Sequence, residues 1–460
     1  VVQGRVLDGI YGSCERASTL IPSAIAGAGF LAGVDKGPAH LTKSDACPYT
    51  GYELLLRQLG QEPTPVLEEF DAGVLQEVVN DMYAEDAMRC KMYGVQARVA
   101  TISEAINGVR EWGSFRGLPT TTSAGWPHMY SEDHRGKGKK GLLVGDPGAY
   151  AATAAFEMEV LEMDSLVRSA IVPAINFVAV LKDELRSRRK LDAFLSRAIT
   201  VGPAALVVLF RQYFGARLAY IRNNHSRSPS AVGINPYSAQ WDELVRYMME
   251  GGPMGWDGDI EKFEGVLRKP MNDALFRYHE LWYMENDVNW CQEDCNARAA
   301  LFSLSITNYM QVGRTLLHKK DALLNSGVAG TTELFNTPQT RVLGRYAFKK
   351  LAKVHAPEML SGEHFDRHVR AVAYGDDNWL STRLEWFNAI SMAEAFYRMV
   401  LCTRQPPRGL CQFRRSLLSR VSLSVITLTS VLMCPACRIM PLRAMSVRCQ
   451  VLSSLGVRCR

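Results

Sequence analysis

Two adjacent carboxylates, Asp376 and Asp377, follow an apolar run (Val369, Ala371 to Tyr374) and Gly375, and precede a second run through Trp379 and Leu380. Gly375 and Asp376 are a turn pair between strand-like segments, so the stretch predicts a tight β-hairpin holding both carboxylates at its tip. Carboxylates about 4 Å apart repel by roughly 4 kcal/mol at an effective dielectric near 20, and a partly buried pair therefore calls for a cation. Mg²⁺ suits it, because it takes hard oxygen ligands and keeps waters or phosphates in its other positions. A second acidic stretch, Gly255 to Gly265 (GWDGDIEKFEG), predicts a strand delivering Asp259, with Glu264 at the start of a helix. Asp259 supplies the partner carboxylate that the hairpin needs, and Glu264 is a candidate ribose contact.

Three further stretches could handle a phosphorylated ligand. Lys182 to Arg197 carries six cations, Lys182, Arg186, Arg188, Arg189, Lys190 and Arg197, beside an apolar strand at Ala198 to Val201. Cations on a strand pair can face one channel and hold a triphosphate, with Arg in bidentate geometry. Asn325 to Thr337 (NSGVAGTTELFNT) predicts a Ser-Gly loop entering a Thr-capped helix, with Asn336 one turn in and its backbone N–H groups open to a phosphate or ribose. Gly117 to Tyr130 (GLPTTTSAGWPHMY) sets small hydroxyls around Gly125, which allows a nucleic-acid phosphate to approach the backbone. Taken alone, each of these is an ordinary basic face, helix entry or surface turn.

The elements that must position these groups are partly legible. Apolar spacing predicts helices over Val74 to Met92, Ile102 to Trp112, and Tyr150 to Met163 with Glu159 and Glu162 exposed. It also predicts a buried amphipathic helix over Leu206 to Tyr220, another over Ser238 to Met249, and one in which Met271, Leu275, Tyr278 and Trp282 line a single face. Ala174 to Leu181 is strand-like, Arg135 to Gly141 (RGKGKKG) reads as a solvated basic loop, and Pro338 predicts a kink in the helix after Asn336.

At 460 residues the chain is long enough for two or three subdomains, and 47% hydrophobic with 22% charged residues is ordinary globular composition. Residues 401 to 460 hold ten Arg but no Lys, Asp or Glu, so the +6 total leaves a net −4 over the first 400. Nucleic-acid binding by that body must rest on local basic clusters. Its five cysteines have no framework spacing, which suits a reducing compartment. No signal-peptide pattern is visible, and no apolar run reaches the roughly 18 residues of a membrane span, Leu20 to Val34 and Val421 to Met433 being the longest. The missing initiator Met suggests a processed product or fragment.

In chain order these stretches resemble the motif series of viral RNA-dependent RNA polymerases, most closely the picornavirus-like (Picornavirales) group. TSAGWP (Thr122 to Pro127) resembles the template-entry motif, and KDELR (Lys182 to Arg186), with Lys190 and Arg197, is similar to the nucleotide-tunnel motif. Asp259 to Glu264, Ser326 to Asn336 and Tyr374 to Asp377 resemble the first, second and third catalytic motifs. The resemblance implies an α+β right-hand fold: fingers at 1–215 and 296–324, a palm with an antiparallel sheet at 216–295 and 325–400, and a truncated or aberrant thumb at 401–460. It implies RNA synthesis from ribonucleoside triphosphates. Asp259, Asp376 and, more weakly, Asp377 would hold two Mg²⁺ ions, with Mn²⁺ an alternative. Lys182, Arg186, Lys190 and Arg197 would clamp the triphosphate. Glu264, Ser326, Gly327, Thr332 and Asn336 would contact the nucleotide, and Thr122, Ser123, Ala124 and Gly125 the template. The 2′-hydroxyl is what separates RNA from DNA precursors. Implied partners are template and product RNA, NTPs, a protein primer and other viral replication proteins. The implied location is the host cytoplasm, at membrane-associated replication complexes.

The chain departs from that pattern in four places. Glu264 replaces the usual Asp, Leu195 stands at a family Lys position, and the second motif carries one extra residue, so that Thr331 or Thr332 takes the family threonine's place. No Lys follows Lys353, where the family has a general-acid lysine and a primer-grip hairpin. The composition of Leu401 to Arg460 therefore leads to the expectation of an out-of-frame segment joined to a polymerase body, with a zinc site at Cys434, Cys437, Cys449 and Cys459 as the alternative. Two rival readings are an inactive RNA-binding remnant and a reverse transcriptase, which shares a Tyr-x-Asp-Asp turn. TSAGWP and KDELR speak against the second.

Overall fold

The computed structural model describes residues 2–5, 15–21, 36–59, 69–93, 96–134, 136–225, 229–252, 254–258, 263, 267–319 and 324–400. Asp259, Glu264 and all of 401–460, including Cys434, Cys437, Cys449 and Cys459, lie outside the described residues. In chain order the elements are β1 (Val2–Arg5), β2 (Lys36–Pro38), α1 (Gly51–Leu59), α2 (Ala72–Tyr93), α3 (Ile102–Asn107), β3 (Leu143–Val144), β4 (Ala151–Ala152) and α4 (Ala154–Arg168). They continue with β5 (Asn176–Leu181), β6 (Leu185–Ser187), α5 (Arg188–Asp192), β7 (Ala198–Val201), α6 (Ala204–Asn223), α7 (Ala239–Glu250), β8 (Met254–Gly258), α8 (Lys269–Asn286), α9 (Gln292–Ile306), β9 (Asn308–Val312) and β10 (Thr315–Lys319). A π-helical turn (Thr331–Asn336) runs into α10 (Thr337–His355), followed by α11 (Gly362–His368), β11 (Val369–Tyr374), β12 (Asp377–Thr382) and α12 (Ala389–Val400).

Two main sheets organise the chain. One has strand order β11-β12-β8 and is wholly antiparallel; the other has order β1-β10-β9-β5-β7, with β5 and β9 parallel and the other pairs antiparallel. Side-chain alternation gives the three-stranded sheet two different faces. Val372 opposes Trp379 and packs with Leu244 and Met248 of α7, whereas Ala371 opposes Leu380, whose side chain lies 3.8 Å from where a Cβ on Gly344 of α10 would stand. The sheet is thus held between α7 and α10. Met271, Leu275, Tyr278 and Trp282 are all buried on one face of α8, as their spacing predicts. Burying each such side chain favours folding by roughly 1.5–3 kcal/mol.

Several expectations need correction. The helix from Ile102 stops at Asn107, because Asn107 bonds both backbone groups of Tyr150 and Gly108 turns to φ +88°. The helix expected from Tyr150 starts at Ala154, capped by Thr153, and Glu159 is half-buried against His128 Nε2 at 2.7 Å. The helix α6 is buried on nearly every face rather than amphipathic. By length and composition it could cross a membrane, yet 89% of its apolar window is buried inside the fold.

The expected kink at Pro338 is replaced by continuous helix preceded by the π-helical turn. Pro338 sits in the first turn of α10, where a missing N–H costs little. It can give no N–H to the Leu334 carbonyl four residues back, and His279 Nε2 donates to that carbonyl at 2.9 Å instead. Arg217 Nε donates to the other ring nitrogen at 3.2 Å, which fixes the neutral tautomer. Burial, reinforced by Arg217, pushes the His279 pKa well below its ordinary 6.5. The unfolded chain therefore binds a proton that the fold refuses, and stability is lost as pH falls below about 6.5, with a limiting slope of about 1.4 kcal/mol per pH unit. Urea unfolding between pH 7 and about 5 measures this slope, which disappears in His279→Gln.

Candidate functional site

The hairpin β11–β12 closes through the two-residue turn Gly375-Asp376, with Tyr374 paired to Asp377. Gly375 takes φ +66°, as a hairpin turn with Gly in the first central position requires. Asp376 and Asp377 are both exposed, and no cation pairs with Asp376 among the described residues. The strand β8 runs alongside and ends at Gly258, opposite Asn378 and one residue short of Asp259. Asn378 Nδ2 ties the two together, donating to the carbonyls of Gly258 at 2.9 Å and Asp376 at 3.1 Å. Adjacent exposed carboxylates offer the hard oxygen donors that Mg²⁺ takes, so this hairpin fits a divalent cation.

Asn336 lies at the end of the π-helical turn, its Cβ 4.0 Å from where a Cβ on Gly375 would stand. Its buried Oδ1 has no hydrogen-bond partner among the described residues. The expected Thr cap is absent: Gly330 in the left-handed region begins the turn, and Thr331 Oγ1 donates to the Val328 carbonyl at 2.6 Å. The Thr332 hydroxyl makes no hydrogen bond among the described residues. Ser326 and Gly327 dock on β7, where Ser326 Oγ accepts from Thr200 N–H at 2.9 Å and Gly327 N–H donates to Thr200 Oγ1 at 3.2 Å. A Cβ on Gly327 would lie 2.0 Å from the Thr200 carbonyl oxygen. Gly327→Ala should therefore cost roughly 1–3 kcal/mol by forcing the loop off the strand, measurable as a lower unfolding midpoint.

The loop at Thr122 to Gly125 reaches the residues that follow that strand. Ala204 N–H donates to the Ala124 carbonyl at 2.8 Å, and a Cβ on Gly125 would lie 2.2 Å from the Gly202 carbonyl oxygen. The segment 200–204 is thus where both loops meet, a role for Thr200 that the sequence did not announce. The basic loop beneath is a correction: Gly138–Leu142 is a 3₁₀ helix, and Lys139 is buried, donating to Thr122 Oγ1 at 2.6 Å and to the Ser123 carbonyl at 2.7 Å. Burial lowers the Lys139 pKa to about 8.

Lys182 and Arg197 face each other just past the β5–β7 ladder, with Lys182 N–H bonded to the Arg197 carbonyl at 2.8 Å. Both point at one carboxylate that the spacing of the cations does not single out. Glu184 lies 3.1 Å from Lys182, 3.2 Å from Arg186 and 3.7 Å from Arg197. Three cations on one anion leave a net positive cluster. The Lys182 and Arg197 side chains are 42% and 52% exposed, so these pairs are weak and can exchange Glu184 for a polyanion. Arg186 Nε also donates to the Leu195 carbonyl at 3.2 Å, and Lys190 lies on α5. Asp259 and Glu264 lie outside the described residues; Asp376, Asp377, Asn336, the Ser326 loop, the Thr122 loop and the cation cluster lie within them.

Comparison with known proteins places the chain in a family. A family model described as viral RNA-dependent RNA polymerase matches residues 69–397. The RNA1 polyprotein of Cowpea mosaic virus (strain SB) is 28% identical over 359 residues, covering 75% of this chain and 18% of the polyprotein. The replicase polyprotein of Cricket paralysis virus is 28% identical over 307 residues, covering 65% of this chain and 17% of that one. The chain thus spans less than a fifth of these two relatives. A solved structure, the Sicinivirus 3Dpol RNA dependent RNA polymerase, superposes with a TM-score of 0.66 at 18% identity, covering 86% of this chain and 74% of that one, which establishes the right-hand polymerase fold. With the matched region spanning most of the chain, and with relatives drawn from picornavirus-like polyproteins, the chain belongs to the viral RNA-dependent RNA polymerase family.

Proposed function

We propose that this chain transfers NMP from NTP to an RNA 3′-hydroxyl under the direction of an RNA template. The observation that carries the reading is the exposed Asp376–Asp377 tip, bound through Asn378 to the end of β8 and flanked by Asn336. Two Mg²⁺ ions bound by Asp259, Asp376 and Asp377 would supply activation of the 3′-hydroxyl and stabilisation of the departing pyrophosphate. Lys182, Arg186, Lys190 and Arg197 attract the triphosphate, and the exchangeable pairs with Glu184 support that role. The unpartnered Asn336 Oδ1 and the Thr332 hydroxyl support recognition of the ribose, together with Glu264, Ser326 and Gly327. Thr122 to Gly125 guide the template.

In this reading 1–215 and 296–324 act as fingers and 216–295 and 325–400 as palm, with 401–460 in the place of a thumb. Template and product RNA, a protein primer and other replication proteins are the partners, and replication complexes on host cytoplasmic membranes are the site of action. The test is extension of a primed RNA template by the purified full chain. Incorporation of NTPs but not dNTPs, abolished by EDTA, supports the proposal; dNTP incorporation favours a reverse transcriptase, and RNA binding without extension an inactive remnant.

A further inference from the structure

Asp376 occupies a turn rather than a ladder position, so its carboxylate is only as well placed as the turn's backbone. Three side chains outside the turn grip that backbone. Thr337 Oγ1 accepts from Gly375 N–H at 2.9 Å, and Thr340 Oγ1 donates to the Gly375 carbonyl at 2.7 Å. The two threonines stand three residues apart on α10, hence on one face of the helix. Both polar groups of a single buried glycine are therefore held by one rigid helix. From the other side, Asn378 Nδ2 holds the Asp376 carbonyl and the last carbonyl of β8. Thr337, Thr340 and Asn378 are all buried. Threonine hydroxyls within a helix commonly bond back to their own turn, whereas these two are directed at Gly375.

We propose that Thr337, Thr340 and Asn378 are positioning residues that set the placement of the Asp376 carboxylate relative to β8, and so govern metal affinity through the backbone of the turn. The inference rests on the reading of Asp376 as a metal ligand. Without either hydroxyl a buried polar group of Gly375 loses its partner, and the turn relaxes toward water to recover one, carrying Asp376 with it. Valine keeps the shape of threonine and removes the hydrogen bond; serine keeps the hydroxyl and removes the methyl. The two substitutions therefore separate clamping from packing.

The test uses the full chain with Mn²⁺ as probe. Mn²⁺ affinity is read from the free-ion electron paramagnetic resonance signal, and turn protection from hydrogen exchange of the peptide spanning 370–380. Thr337→Val and Thr340→Val should bind Mn²⁺ about 10- to 100-fold more weakly than the unaltered chain and exchange faster at the turn. Thr337→Ser and Thr340→Ser should retain near-original values of both. Unchanged affinity and exchange in both valine variants would overturn the clamp, as would serine variants as impaired as the valine ones. If Asp376→Ala leaves Mn²⁺ binding unaltered, the metal reading fails instead, and the clamp then stands or falls on turn exchange alone.

Discussion

Asp376→Asn is expected to lower the rate of nucleotide incorporation by about 10³-fold or more while leaving the fold intact. The substitution removes one negative charge from the place where a metal ion would be held. Loss of several kcal/mol of metal-derived stabilisation corresponds to at least three decades in rate. Stability should change by no more than about 0.5 kcal/mol, because the side chain is exposed and the bond from Asn378 goes to the backbone carbonyl of Asp376. Asp377→Asn should cost less, as the weaker ligand. Single-turnover incorporation alongside a thermal melt checks both halves of this expectation.

Arg217→Met should produce the largest loss of stability, about 3–5 kcal/mol, by leaving a buried charge without its counter-ion. Arg217 and Asp86 are both buried, and Arg217 also bonds His279 and stacks on Tyr220, Tyr278 and Trp282. Tyr278 donates to the same Asp86 oxygen at 2.6 Å. Burial opposes the charge on Asp86, but Arg217 and Arg341 outweigh it and hold the carboxyl below its ordinary pKa. Removing Arg217 takes away the larger of these two charges and its hydrogen bond to the carboxyl. The double variant Arg217→Met/Asp86→Leu should recover most of the loss, since two apolar residues replace the pair. A urea midpoint that falls in the single variant and recovers in the double one is the expected result; equal loss in both would assign the effect to packing.

The parts of this molecule that sequence reveals are those where a local pattern decides the outcome. The Gly375-Asp376 turn between two apolar runs specifies its own hairpin, and the spacing of Met271, Leu275, Tyr278 and Trp282 specifies the buried face of α8. The β7 strand likewise has the bounds that its apolar run indicates. Where tertiary partners decide, sequence is silent. Lys139 sits in a stretch of Gly and Lys with every local mark of a solvated loop, yet two oxygens of the Thr122 loop draw it into the interior. Ile102 to Trp112 keeps helical spacing past Asn107, but the bonds from Asn107 to Tyr150, 43 residues away, end the helix.

The same division runs through the candidate site. Charged residues stand out in a sequence, so Asp376, Asp377 and the cations from Lys182 to Arg197 are found directly. The groups that hold them are ordinary threonines and an asparagine. Thr200, Thr337, Thr340 and Asn378 have no distinguishing spacing, and their roles depend on contacts made across 35 to 127 residues of chain. Glu184 was visible inside KDELR, but its place at the centre of three cations depends on how β5 and β7 end together.

The measurement that bears most directly on the central claim is extension of a 5′-labelled RNA primer on four templates that differ only in the first unpaired base, each offered all four NTPs singly in Mg²⁺. The full chain should add one ribonucleotide in each case, the one complementary to the template base, and Asp376→Asn should add none above background. Addition that ignores the template base, or equal addition by Asp376→Asn, would contradict the account.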